Sequence, residues 1–183
     1  MSLCKAKSVI GMPIGASDSD ELIAWVKELV LDNSDQRVVS VLAETPEHEC
    51  KLLPLGTIKW GFMLLPSAAA EGHKCGFPLA CFEHRAGTLR GTHVLAADNH
   101  ELGTVADFYF YDSDGAIVGL QLNAGLLADA YSGRKVVPAA ATHHAADGTL
   151  VLDNDGEIVR EAQVGGIAGV LQTLMATLWK SRP

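Results

Sequence analysis

The feature that most constrains this 183-residue chain is its resemblance to itself. Residues 8–42 can be laid beside residues 88–121. Gly11 then meets Gly91, Ile14 meets Val94, Asp18 meets Asp98, Glu21 meets Glu101 and Leu22 meets Leu102. After a one-residue slip, Val26 meets Val105, Glu28 meets Asp107 and Leu31 meets Phe110. Ser34-Asp35 then meets Ser113-Asp114, and Val38-Val39 meets Ile117-Val118. Further on, Leu64-Leu65-Pro66-Ser67-Ala68-Ala69 matches Val136-Val137-Pro138-Ala139-Ala140-Ala141. Matched features in the same order predict a duplicated unit. Any two strand-rich segments share Gly, Asp and Val, so the match predicts the duplication without proving it.

The second copy shows what each unit is. Val94 to Ala97 is a strand candidate and Asp98-Asn99-His100 a turn. The aromatic and β-branched run Leu102 to Tyr111 suits a pleated, half-buried surface. Phe108 and Phe110 share one face, and Tyr109 and Tyr111 the other. Asp112-Ser113-Asp114-Gly115 is a hairpin signal, with Gly115 free to take positive φ. Ile117 to Leu122 returns as the partner strand. Lys135-Val136-Val137-Pro138 is a further strand, which Pro138 ends or places on an edge. Asp147-Gly148 turns into Thr149 to Leu152. Short strands with tight turns read as a small barrel or a strongly curled sheet. The 18 glycines and a 48% hydrophobic content fit that reading.

The stretch Glu101-Leu102-Gly103-Thr104-Val105-Ala106-Asp107-Phe108-Tyr109-Phe110, then Asp114 to Leu120, then Arg134-Lys135-Val136-Val137-Pro138, resembles the PRC-barrel signature. That family includes the cytoplasmic domain of the photosynthetic reaction-centre H subunit and the C-terminal domain of the ribosome-maturation factor. The resemblance covers residues 88–153 well and 8–72 more loosely. In the first copy Ile23-Ala24-Trp25 replaces the Gly103-Thr104 step, Asp35-Gln36 lacks the turn glycine, and residues 43–60 read as longer and more irregular. The expected fold is therefore mainly β. It comprises a divergent first barrel over 1–72, a linker over 73–87, a second barrel over 88–158 and a C-terminal amphipathic helix over 159–183. The helix is carried by Glu161 to Lys180, where Val164, Ile167, Val170, Leu171, Leu174 and Leu178 form one apolar stripe. The family has no common catalytic residues, so the resemblance implies a non-catalytic binding or assembly module. A link to photosynthesis or to ribosome assembly is analogy only.

Charge narrows the partners. The net charge is −8, the sequence pI is about 5.2, and Lys and Arg are scattered. Nucleic-acid binders show a basic face, so no nucleic-acid partner is expected. An anionic membrane surface repels the average charge, and the polar face of the tail carries little Lys or Arg, so membrane contact is not expected. The tail is expected to pack on the chain itself or on another subunit, giving a protein partner or a homo-oligomer. No secretory h-region follows Lys5 and Lys7, and no run of about 18 apolar residues exists, so the default compartment is a reducing cytoplasm.

The sharpest chemical constellation lies in the linker: His73, Cys75, Cys81 and His84. Two thiolates and two imidazoles are suitable ligand types for tetrahedral zinc, although the spacing is no standard finger. The alternatives are an apolar linker with Cys75 and Cys81 as small buried hydrophobes, or a Cys75–Cys81 redox pair. No other cofactor is expected. His143-His144 reads as a solvated loop. Asp112-x-Asp114-Gly115 and Asp153-x-Asp155-Gly156 read as turns, because Phe110 and Val151 occupy the first ligand position of a calcium loop. No nucleophile elbow, phosphate loop or His-Glu-x-x-His helix is present. Trp25, Trp60 and Trp179 are the aromatic anchors. The favoured function is docking on a macromolecular partner. The alternative is a metal- or small-ligand-binding regulator using the linker cluster or a cleft between the barrels.

Overall fold

A computed structural model describes residues 2–19, 21–60, 64–66, 73–74, 84–123, 134–153 and 158–161. They form fourteen strands and two one-turn helices. The first copy contains β1 (Leu3–Lys5), α1 (Ala6–Val9), β2 (Pro13–Ala16), β3 (Leu22–Leu31), β4 (Val38–Glu44), β5 (Cys50–Pro54) and β6 (Leu64–Leu65). Next come β7 (His73–Lys74) and α2 (Ala86–Leu89). The second copy continues with β8 (His93–Leu95), β9 (Glu101–Tyr111), β10 (Ile117–Asn123), β11 (Arg134–Pro138), β12 (Thr142–His144), β13 (Leu150–Leu152) and β14 (Val159–Glu161).

One sheet runs in the order β6-β2-β3-β4-β5-β7. The other runs β12-β13-β8-β9-β10-β11-β14, with β1 joined to β9 off that path. The fold is mainly β, as expected, and no closed barrel is found among the described residues. The edge strands of the two sheets, β6, β7, β12 and β14, are only two or three residues long, and short edges offer little unpaired backbone to a stray chain.

The two halves repeat several hydrogen bonds. Gly11 N–H donates to Val26 O at 2.8 Å, and Gly91 N–H to Val105 O at 2.8 Å. Val26 N–H donates to Met12 O, and Val105 N–H to Thr92 O, both at 2.9 Å. Gly11 and Gly91 share φ +86°, a left-handed value at which glycine is unstrained. In each copy the first hairpin strand also pairs in parallel with a late strand: Gly15 with Leu64, and Val94 with Leu150.

Two of the sequence matches shift. The extra residue of the first copy lies inside its turn: Ala16 N–H reaches Glu21 O, where Ala96 N–H reaches His100 O. Leu22 therefore sits opposite Gly15, as Glu101 sits opposite Leu95. Leu22 is the counterpart of Glu101, not of Leu102. The second shift concerns proline. β5 ends at Pro54 and β11 at Pro138, and each is followed by a 3-10 turn, Leu55–Thr57 and Ala139–Ala141. A proline cannot donate to a ladder, so it closes the strand in both copies. Pro54, and not Pro66, is the counterpart of Pro138.

The region 43–60 is regular, since β4 and β5 pair over five rungs from Ser40–Pro54 to Glu44–Cys50. His143-His144 lies in a strand, with His143 opposite Val151. Val159–Glu161 also differs from the expected helix: it extends as β14, with Val159 opposite Val136. The remainder of the expected helix lies outside the described residues. Within the expected linker His73–Lys74 pairs with β5, and a helix, Ala86–Leu89, spans the linker's end. No described helix is long and apolar enough to cross a membrane.

Contacts divide the chain into two compact units, Met1–Leu89 with Phe110–Ile117, and Arg90–Tyr109 with Val118–Pro183. The first is centred on Ile14, Leu29, Val41, Leu53 and Phe110, with Trp60 edge-on to Phe110 at 5.6 Å. The second is centred on Val94, Phe108, Tyr109, Leu122, Val137 and Leu152. Aromatic and branched side chains fill both centres.

Candidate docking face

The described residues expose four large apolar side chains: Met12, Leu22, Trp25 and Val39, each 38–40% accessible. Strand register explains why Leu22 and Trp25 share one face. Trp25 is paired with Pro13, which is exposed, and Leu22 with Gly15. Their neighbours Ile14, Ala24 and Val26 point the other way and are buried. A bulge between Ile14 and Gly15 lets Leu22 join the outer face although it is three residues from Trp25.

Charge frames this face. Glu44 is directly opposite Trp25 on β4, and Lys27 hydrogen-bonds Glu44 across the strands. His48 Nδ1 lies 3.0 Å from the other Glu44 oxygen. Hydrogen bonds from Lys27 and then His48 hold the Glu44 carboxyl below the usual carboxylate range. Donating that bond to Glu44 in turn raises the Lys27 ammonium. One cation and one anion thus sit beside the indole.

The corresponding positions of the second copy differ in kind. Trp25 corresponds to Thr104, which pairs with His93 as Trp25 pairs with Pro13. Leu22 corresponds to Glu101, and Met12 to Thr92. His93 Nδ1 meets Glu101 Oε1 at 2.8 Å on an exposed surface. The same backbone supports a polar face in one copy and an apolar one in the other.

Of the linker cluster, His73 and His84 are among the described residues. His73 lies in β7 opposite Leu52. Cys75 and Cys81 lie outside the described residues. His84 Nδ1 sits 3.0 Å from Asp35 Oδ1 at the β3–β4 turn, and its carbonyl accepts the Leu31 N–H at 3.0 Å. No three His, Cys, Asp or Glu gather for a metal among the described residues. In the first acidic turn Asp112 Oδ1 accepts the N–H of the distant Ser2, and Asp114 Oδ1 accepts the Ala116 N–H. Asp153 bonds His143 at 2.7 Å. Cys4 and Cys50 are free thiols. Burial, with the Asp112 charge adding, pushes the Cys4 thiol up to about 11.

Buried charge is structural. Glu28 accepts the Leu29 N–H at 3.0 Å and packs on Gly87, where an added Cβ would lie 2.7 Å from its carboxylate. Asp107 is fully buried, with Arg90 Nε at 3.8 Å. Trp60, an anchor named from sequence, is half-buried against Phe110 and its indole N–H donates to Leu55 O at 3.3 Å. Leu22 carries a signal only once the turn lengths are matched, because the misplaced slip sets it beside Leu102 instead of Glu101.

Residues 83–159 match the family model described as PRC-barrel domain. No curated protein matches the chain.

Proposed function

Residues 83–159 being a PRC-barrel domain, a fold of the binding and assembly type, we propose that the protein is a non-catalytic module that docks on a protein partner. In this reading the first half is a second, divergent PRC-type unit, and it supplies the docking face. The observation that carries the proposal is Trp25 and Leu22 standing exposed where the second copy has Thr104 and Glu101. A position that folds with a polar residue does not need an aromatic one for folding, and exposed apolar patches mark interaction sites. Tryptophan is also the side chain most concentrated at energetic centres of interfaces. The free thiols Cys4 and Cys50 fit a reducing compartment.

The test is cross-linking mass spectrometry of the full chain in its native extract, beside Trp25→Thr. Cross-links from Lys27 that vanish in the variant are expected. Lys27 cross-links that persist unchanged would sink the proposal. The second reading, a metal-binding regulator using His73, Cys75, Cys81 and His84, requires His84 to exchange Asp35 for a metal. Stoichiometric zinc in the purified protein is what that reading expects.

A further inference from the structure

We propose that the Trp25 face joins two copies of this chain about a two-fold axis, with Lys27 of each copy meeting Glu44 of the other. The inference rests on the docking reading above and names its occupant. Three observations carry it. Trp25 and Leu22 are both exposed on β3, with Pro13 and Gly15 opposite them on the adjacent strand β2. The second copy keeps the same hydrogen bonds with Thr104 and Glu101 at those places, so the apolar pair is not a requirement of the fold.

The third observation is charge, and it selects the partner. A two-fold interface sets one patch against itself, so residue i meets j while j meets i. A patch of one charge sign would then repel its twin. This patch holds one cation and one anion, Lys27 and Glu44, flanking the indole, and is self-complementary. Rotation exchanges two pairs within chains for two pairs between chains, with no charge left over. The chain as a whole is at −8, so two copies repel at long range. A basic partner attracted by that charge would seek an acidic face. The Trp25 face is locally neutral, because Lys27 already answers Glu44.

The test uses the full chain and sedimentation velocity over a concentration series. The wild type is expected to dimerise. Trp25→Thr and Leu22→Glu install the residues the second copy folds with, so they are expected to keep the circular dichroism spectrum. Trp25→Thr is expected to weaken the dimer by about thirtyfold, as for a central interface tryptophan. Lys27→Glu alone and Glu44→Lys alone each set like charges together across the axis and are expected to give monomers. Mixed, they restore one swapped pair and one native pair, and native mass spectrometry is expected to show the heterodimer. A wild type that stays monomeric overturns the proposal. So does a dimer that Trp25→Thr leaves intact, or a mixture of charge variants that stays monomeric. A monomeric wild type whose Lys27 cross-links to another protein depend on Trp25 would overturn the two-fold pairing and leave the docking reading standing.

Discussion

His48 shows how one residue records a local compromise. Three hairpin turns of this chain are built alike. In each, the first residue's N–H donates to the fifth residue's carbonyl, and the fourth residue's N–H donates back to the first. They run Thr45–Glu49, Ala96–His100 and Ala145–Thr149. The fourth residue must be left-handed, and it is His48 at φ 63°, Asn99 at 67° and Gly148 at 84°. Glycine and asparagine are at ease there; a histidine Cβ is crowded. The His48 side chain is 87% exposed, and its 3.0 Å contact with Glu44 is a surface pair of little worth. His48→Gly is therefore expected to stabilise the protein by up to about 1 kcal/mol, and Gly148→His to destabilise it similarly. For a chain of this size that is a Tm shift of about 2–4 °C in opposite directions, read by thermal melting. A His48→Gly protein that melts lower than the wild type would refute the strain assigned to this turn. The same conformational latitude explains the hairpin that lacks a glycine: Asp35 itself takes φ 53°, and Asp32 Oδ1 accepts the Gln36 N–H at 2.9 Å.

Among the elements, the hairpin tip 110–117 was the most legible and is the most exacting. Alternating aromatics through Phe110 and the Asp-Ser-Asp-Gly turn both act locally, so sequence alone located β9, the turn and β10. What sequence could not show is what lies against Gly115. Val38 N–H donates to Gly115 O at 2.8 Å, Ile117 N–H donates to Gln36 O at 2.9 Å, and Gly115 sits at φ +75°. A Cβ there would lie 2.0 Å from Val38 O, so backbone would have to move. Gly115→Ala is expected to cost more than about 1 kcal/mol, since both dihedral strain and a backbone clash are added. Urea unfolding measures it, and a variant of unchanged midpoint would mean that the Val38 approach is looser than the bond lengths say. The proline mismatch was illegible for a different reason. Leu52-Leu53-Pro54 and Leu64-Leu65-Pro66 are the same tripeptide, and only the pairing of β5 with β4 tells which one ends a strand like Pro138. The turn between β2 and β3 misled in the same way: six residues from Ala16 to Glu21 replace five from Ala96 to His100. A gap inside a polar turn leaves no trace in a hydrophobic pattern.

For the whole molecule, the two halves seen in sequence are not the two units defined by contact. The first unit takes in Thr88–Leu89 and Phe110–Ile117, which sequence order assigns to the second copy. Hydrophobic periodicity shows which residues are buried, but not against which copy, because either copy offers the same strands. This is also why the docking face was only partly legible. Trp25 stood out by its type, whereas Leu22 became informative only beside its structural counterpart Glu101. The interleaving makes a specific demand. A fragment of residues 1–83 keeps β2 to β5 but loses helix α2, whose Gly87 covers the buried Glu28 carboxylate. It loses His84, whose carbonyl accepts the Leu31 N–H and whose ring meets Asp35. It also loses Gly115, the acceptor of Val38 N–H, and Phe110, the ring against Trp60. A buried carboxylate stripped of its cover and backbone donors left unpaired each cost about 1–3 kcal/mol, a large part of the net stability of so small a piece. The fragment is expected to lack a cooperative thermal transition by circular dichroism while the full chain shows one. A fragment that melts as sharply and as high as the full chain would make the first copy self-sufficient and the shared hairpin dispensable.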